Sequence, residues 1–179
     1  MGQVIISVQM SADASIGPDI GWFDGGEQEH RGEDELHLAD AMLLGRKQYE
    51  GLSAVWSKTP GEFAAKVNAM PKYVASTTLS EPLDWNASLI KGEVVEEVRR
   101  LKDEHDGNLL SYGCGPFAFF LVKNGLVDEI RFWVHPIVWS EPERPFHGLG
   151  HVRMNLKDST VFRNGVTLQS YEPVSVEEV

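Results

Sequence analysis

Short apolar runs alternate with polar stretches of helical period along most of this chain. Val4–Met10 reads as a first strand, buried on at least one face, and Ala41–Leu44 as a second, short buried one. Pro71 opens a third, Lys72–Ala75, and Ala87–Ile90 a fourth. Glu93–His105 has the clearest amphipathic pattern, with Val94, Val98, Leu101 and His105 on one face. Its acids come early and Arg99, Arg100 and Lys102 late, as the helix dipole favours. Glu27–Ala39 reads as a helix with Leu36 and Leu38 inward, Gln48–Ser53 as a short helix or turn, and Gly61–Asn68 as one more helix. Strands follow at Leu109–Tyr112 and Glu129–Val138. The chain closes with Thr160–Arg163 and Val166–Glu172, joined through Asn164-Gly165, a hairpin signal. Strands alternating with helices and ending in a hairpin predict a mostly parallel α/β sheet, covered on both faces, with antiparallel strands at one edge.

The most informative stretch runs from Asn108 to Val122. A buried strand meets Gly113-Cys114-Gly115, and then an apolar helix begins at Pro116 and stops at Asn124-Gly125. Proline at a helix start and glycine just past its end mark both boundaries. Small residues there let a ligand reach free backbone N–H groups with the dipole behind them, which favours a phosphate. The same glycines also serve a tight turn that binds nothing.

Composition narrows the classes. The 179 residues, 42% hydrophobic, suit one domain, 1–179, with a sizeable core. A net charge of −11 argues against nucleic-acid and anionic-membrane surfaces. A lone cysteine forbids an intrachain disulfide and suggests a reducing, cytoplasmic setting. No apolar run reaches the ~18 residues of a membrane span, and the first residues lack a signal-peptide pattern.

Ligands of open α/β sheets bind at the carboxyl ends of the strands. Three such ends carry complementary chemistry: Gly45-Arg46-Lys47 offers cations, Ser76-Thr77-Thr78 hydroxyls, and Gly113-Cys114-Gly115 bare N–H groups. Each alone passes for a solvated turn. Together on one edge they suit a nucleotide.

These segments carry a resemblance. Leu44-Gly45-Arg46-Lys47-Gln48-Tyr49-Glu50-Gly51 resembles the Gly-Arg-Lys/His-Thr-Tyr/Trp-Glu stretch of the dihydrofolate reductase-like superfamily. The likeness is closest to stand-alone relatives of the reductase domain of the riboflavin-biosynthesis deaminase-reductase. Met70–Leu79, Gly113–Gly115, Asn124–Arg131 with His135–Val138, and Met10–Pro18 extend it, in order, over most of the chain. The resemblance implies a three-layer α/β/α domain that carries NADPH across the sheet edge and works as a homodimer in the cytoplasm. Gly45, Arg46, Lys47 and Gln48 would meet the adenosine phosphates, Ser76 and Thr77 the adenosine side, and Gly113, Cys114 and Gly115 the pyrophosphate. Asp13 and the loop as far as Trp22 would face nicotinamide and substrate. The implied reaction is hydride transfer to a C=N or C=O of a small pteridine-like or ribosylaminopyrimidine-like substrate.

Asp13 is the candidate for relaying a proton, or else a loop residue bonding its own backbone. Trp22 and Trp56 could stack on a ligand or lie in the core. No metal site is expected: His147 and His151 have a suitable spacing, but Pro145 and two glycines break any helix there. Gln48 stands where the superfamily has threonine, Ala14 where it has glycine, and Trp139–Phe146 where it has a Gly-x-Gly turn. Those departures define two rival expectations. One is a catalytically silent binding or assembly module on the same fold; the other is a reductase with a flavin-type cofactor.

Overall fold

The apolar runs become strands of one eight-stranded sheet in a computed structural model that describes residues 1–16, 32 and 34–177. The strands are β1 (Val4–Ser11), β2 (Ala39–Gly45), β3 (Lys72–Ala75), β4 (Ala87–Leu89), β5 (Asn108–Tyr112), β6 (Glu129–His135), β7 (His151–Val161) and β8 (Thr167–Glu177). The helices labelled here are α1 (Arg46–Trp56), α2 (Glu62–Ala69), α3 (Val94–Glu104) and α4 (Pro116–Lys123). Spatial order is β4-β3-β2-β5-β1-β6-β8-β7. From β4 to β6 every neighbouring pair is parallel, while β8 runs antiparallel to β6 and β7 antiparallel to β8.

Continuous hydrophobicity in β1 and β2 follows from burial on two faces. Val4, Ile6 and Val8 with Ala41 and Leu43 meet Val98 and Leu101 of α3 and Ala118, Leu121 and Val122 of α4. Ile5, Met42 and Leu44 meet Tyr49 of α1 and Val67 of α2 on the opposite side. The result is the expected three-layer α/β/α arrangement, with the carboxyl ends of β1, β2 and β5 on one edge.

Two buried charges stand out in this apolar setting. Lys72, 1% exposed, donates from Nζ to the carbonyls of Val67 at 2.5 Å and Asn68 at 2.9 Å, closing the carboxyl end of α2. Its ammonium lies 4.2 Å over the Trp85 ring, and burial pushes its pKa down to about 8. On β6, Arg131 donates to Glu35 at 2.9 Å and Glu129 at 2.5 Å, and Lys157 reaches Glu129 at 2.8 Å. Burial raises the Glu35 pKa and the Arg131 charge opposes that rise.

Some boundaries differ from the sequence reading. Most of the helix expected at Glu27–Ala39 lies outside the described residues; within it, residues 34–37 are helical, Leu36 is buried and Leu38 is 59% exposed. Leu38 thus faces outward, at the turn that enters β2. The expected Gln48–Ser53 helix begins earlier, at Arg46, because Gly45 is its N-cap. β6 stops before Pro136, which has no N–H for the ladder. The first strand of the closing hairpin is β7, far longer than Thr160–Arg163. Its side chains are mostly exposed on both faces, so no alternation marks it. The turn between β7 and β8 does contain Asn164-Gly165, with the Gly165 N–H donating to the Phe162 carbonyl at 2.9 Å.

Candidate active site

The glycine turn is built by the parallel ladder. The Gly113 N–H donates to the Ser7 carbonyl at 2.8 Å, and Gly113 sits at φ +91°, where a side chain would be strained. Gly115 caps α4 and Gly45 caps α1, and neither glycine has a side chain to bond the N–H groups of its helix's first turn. A Cβ on Gly45 would fall 2.8 Å from the Phe117 Cβ, so Gly45 is what lets α1 and α4 start side by side. Gln48 fixes that approach: its Oε1 accepts the Gly45 N–H at 2.8 Å and its Nε2 donates to the Tyr112 carbonyl. Two adjacent helix starts whose N-cap residues are glycines leave first-turn N–H groups and aligned dipoles at the turn, the requirements for holding an anion.

A cleft of about 780 Å³ opens in front of this turn. Val8, Ile16, Leu52, Pro116 and Phe119 give it apolar walls, while Ser7, Gln9, Lys47, Tyr112, Glu143, Arg144 and His147 bring polar groups. Gln9 Oε1 lies 2.7 Å from His135 Nε2, which orients the amide. Burial and the Glu35 carboxylate push the Tyr112 pKa up, so its phenol keeps its proton.

The rim opposite the glycine turn is two loops stitched together. The Asp13 carboxylate accepts from Ser11 Oγ at 2.5 Å, Ser15 Oγ at 2.9 Å, Trp139 N at 3.1 Å and Ser140 N at 3.0 Å. Those donors hold its pKa far below the ordinary carboxylate range. Arg144 Nη1 donates to Ser15 Oγ at 3.0 Å, to the Glu143 carbonyl at 3.1 Å and to the Glu141 carbonyl. Ala14, Ser140 and Phe146 all take positive φ, between 57° and 61°. Three left-handed non-glycine residues in one rim are a strained arrangement that the hydrogen bonds enforce.

Of the residues the sequence singled out, Lys47, Gly113, Cys114 and Gly115 line the cleft. Gly45 and Gln48 lie behind it as the clamp. Arg46 pairs with Glu50 at 3.6 Å and is half exposed. Ser76 follows β3 on the same edge, where its Oγ accepts from Thr78 N at 3.2 Å and Leu79 N at 3.1 Å; neither it nor Thr77 touches the cleft. Asp13 is a carboxylate held by four donors from two loops, and it braces the rim. Trp22 lies outside the described residues. Trp56 packs against Phe63 with centroids 5.4 Å apart, in the core. Burial raises the Cys114 thiol pKa, the reverse of the lowering a helix start gives an exposed thiol. Sequence reasoning passed over Gln9, Leu52 and Tyr112. Gln9 and Tyr112 were findable as the polar residues near strand carboxyl ends. Among the described residues no group of three His, Cys, Asp or Glu is placed to hold a metal ion, and no helix is long and apolar enough to cross a membrane.

Comparison with known proteins agrees with this geometry. The family model for the RibD C-terminal domain matches residues 3–168. An uncharacterised protein of Bacillus subtilis (strain 168), YyaP, is 31% identical over 144 residues, covering 74% of this chain and 73% of its own. A putative riboflavin biosynthesis protein from Shewanella sp. PV-4 has the same fold, with TM-score 0.72 at 18% identity over 97% of this chain and 99% of that one. The deaminase/5-amino-6-(5-phosphoribosylamino)uracil reductase of Thermotoga maritima matches with TM-score 0.66 at 12% identity, over 97% of this chain and 57% of that longer one. With residues 3–168 of its 179 matched by the family model, the chain belongs to the RibD C-terminal domain family.

Proposed function

We propose that this protein is an NADPH-dependent reductase whose substrate is a small pteridine-like or ribosylaminopyrimidine-like heterocycle. The carrying observation is the pair of helix starts at Gly45 and Gly115, each with a glycine at its N-cap and side by side after neighbouring strands. That cradle fits the pyrophosphate of a dinucleotide. Lys47 adds a cation in the cleft, while Arg46, Ser76 and Thr77 lie farther along the same edge, where an adenosine phosphate would extend. NADPH, when bound, would supply the hydride for a C=N or C=O.

The chain's own residues bind, orient and exclude water. Val8, Ile16, Leu52 and Phe119 give flat apolar surface against which rings can lie. Gln9, held by His135, is the fixed polar group that orients a heterocycle. Asp13 keeps its charge and holds the loop in register, so its contribution is positional. The test is oxidation of NADPH by the purified protein, followed through the nicotinamide absorbance, with dihydropterins and ribosylaminopyrimidines as acceptors. Turnover above background with either class supports the reading, and its absence with both at saturating cofactor contradicts it.

A further inference from the structure

We propose that Gln9 is a specificity-determining residue for the ring substrate. His135 holds its amide so that the cleft meets hydrogen-bond donors there, which selects a ring carbonyl over a ring amino group. This deepens the reductase reading and rests on it for the substrate class.

Gln9 reaches the cleft because of its place on β1. Side chains of a strand alternate between faces, so Ser7 and Gln9 share the face on which Ile5 packs in one cluster with Leu52 and Tyr112. Ser7, Gln9, Leu52 and Tyr112 all line the cleft. Ser7 is 1% exposed, while Gln9, nearer the carboxyl end, is half-buried. Gln9 is therefore the polar side chain of β1 that a ligand can touch.

A free glutamine amide can turn end for end and present either a donor or an acceptor. Here a neighbour makes the choice. The β1–β6 ladder pairs Gln9 with Trp133 and Ser11 with His135, so the amide and the imidazole share a face. Gln9 Oε1 lies 2.7 Å from Nε2 of His135, which is 3% exposed. A carbonyl oxygen carries no proton, so this contact requires Nε2 to donate. With Oε1 engaged, the two N–H donors of the amide are left for the cleft.

The carboxylate bonded to this wall is turned inward. Ser7 Oγ accepts from Trp133 Nε1 at 3.0 Å and gives its one proton to the Glu35 carboxylate. Glu35 is buried, takes Arg131 Nη1 at 2.9 Å, and does not line the cleft. A ring amino group facing Gln9 would set donor against donor and leave both without partners, whereas a ring carbonyl there is satisfied.

Two measurements test this. The first reads the direction of the hydrogen bond on wild-type protein without cofactor. Long-range proton–nitrogen correlation spectra resolve the imidazoles of the six histidines, and His135→Phe identifies the signal that belongs to His135. Nε2 of His135 should be protonated at neutral pH. An unprotonated Nε2 would mean that the amide is turned the other way, and overturns the proposal.

The second compares a pterin with its 4-amino analogue, each titrated into the protein with and without NADPH. The pterin should bind at least about tenfold more tightly. Gln9→Leu should remove that preference, and Gln9→Glu, which turns an acceptor to the cleft, should reverse it. His135→Phe should shrink it several-fold by freeing the amide, whereas a merely structural loss would weaken both rings alike. Equal affinities in wild-type protein, a preference that survives Gln9→Leu, or binding of neither ring would each overturn the proposal. Absence of NADPH binding alone contradicts the reductase reading and leaves both measurements readable.

Discussion

Gln48 and Tyr112, 64 residues apart, are joined where two strands end: the Gln48 Nε2 donates to the Tyr112 carbonyl. Its Oε1 holds the Gly45 N–H, so one side chain ties the start of α1 to the end of β5. Gln48→Leu removes both bonds and leaves a part-buried N–H and C=O without partners. The expected loss is about 2 kcal/mol, a Tm lower by roughly 4–8 °C, together with weaker NADPH binding. Thermal melts and a cofactor titration on the same variant check both.

The glycines of the cradle differ in why they are glycine. At Gly45 a methyl would meet Phe117 Cβ at 2.8 Å, so Gly45→Ala should destabilise the fold by about 1–3 kcal/mol as α1 and α4 move apart. At Gly115 nothing lies within 4 Å of the added Cβ. Gly115→Ala should hold stability within about 0.5 kcal/mol and reduce NADPH affinity by crowding the turn. Denaturant unfolding paired with binding separates the two cases.

Lys72 gives a pH signature. Its pKa is about 8 in the folded protein and 10.5 when unfolded. Between those values the unfolded chain binds more protons than the folded one, so this residue's contribution to stability rises with pH across that window. Wild-type protein should therefore gain stability relative to Lys72→Met from about pH 8 to 10.5. Unfolding curves for both proteins at either end of the window provide the measurement, and a constant difference would contradict it.

The ion pairs on Glu129 and Glu35 should divide by burial. Arg131 is 15% exposed and faces the 4% exposed Glu35. Arg131→Met strands that carboxylate and should cost about 3–5 kcal/mol. Lys157, 38% exposed, is partly solvated, and Lys157→Met should cost less than about 1 kcal/mol. Chemical denaturation of the two variants decides.

What was legible in the sequence was local. Val4–Ile6 and Ala41–Leu44 are apolar on consecutive positions because the sheet is covered on both faces. Pro116 and Asn124-Gly125 marked the ends of α4 through backbone chemistry alone. The start of α1 was hidden because Gly45 has no capping side chain to announce it. β7 was hidden because polar residues exposed on both faces carry no period. Asp13 illustrates the limit at the site. Two of its donors are main-chain groups of Trp139 and Ser140, brought in by the fold, so a residue that the sequence leaves between proton relay and loop residue is held by a second loop 126 residues away.

The central claim is that the paired helix starts at Gly45 and Gly115 hold a phosphorylated nicotinamide dinucleotide. Titration of the purified protein with NADPH and NADH, read by nicotinamide fluorescence, tests it most directly. The account predicts saturable NADPH binding below about 1 mM, tighter than NADH, with Arg46→Ala weakening NADPH more than NADH. Absence of saturable NADPH binding at that concentration would contradict the claim, and equal losses in Arg46→Ala would remove Arg46 from its assigned contact.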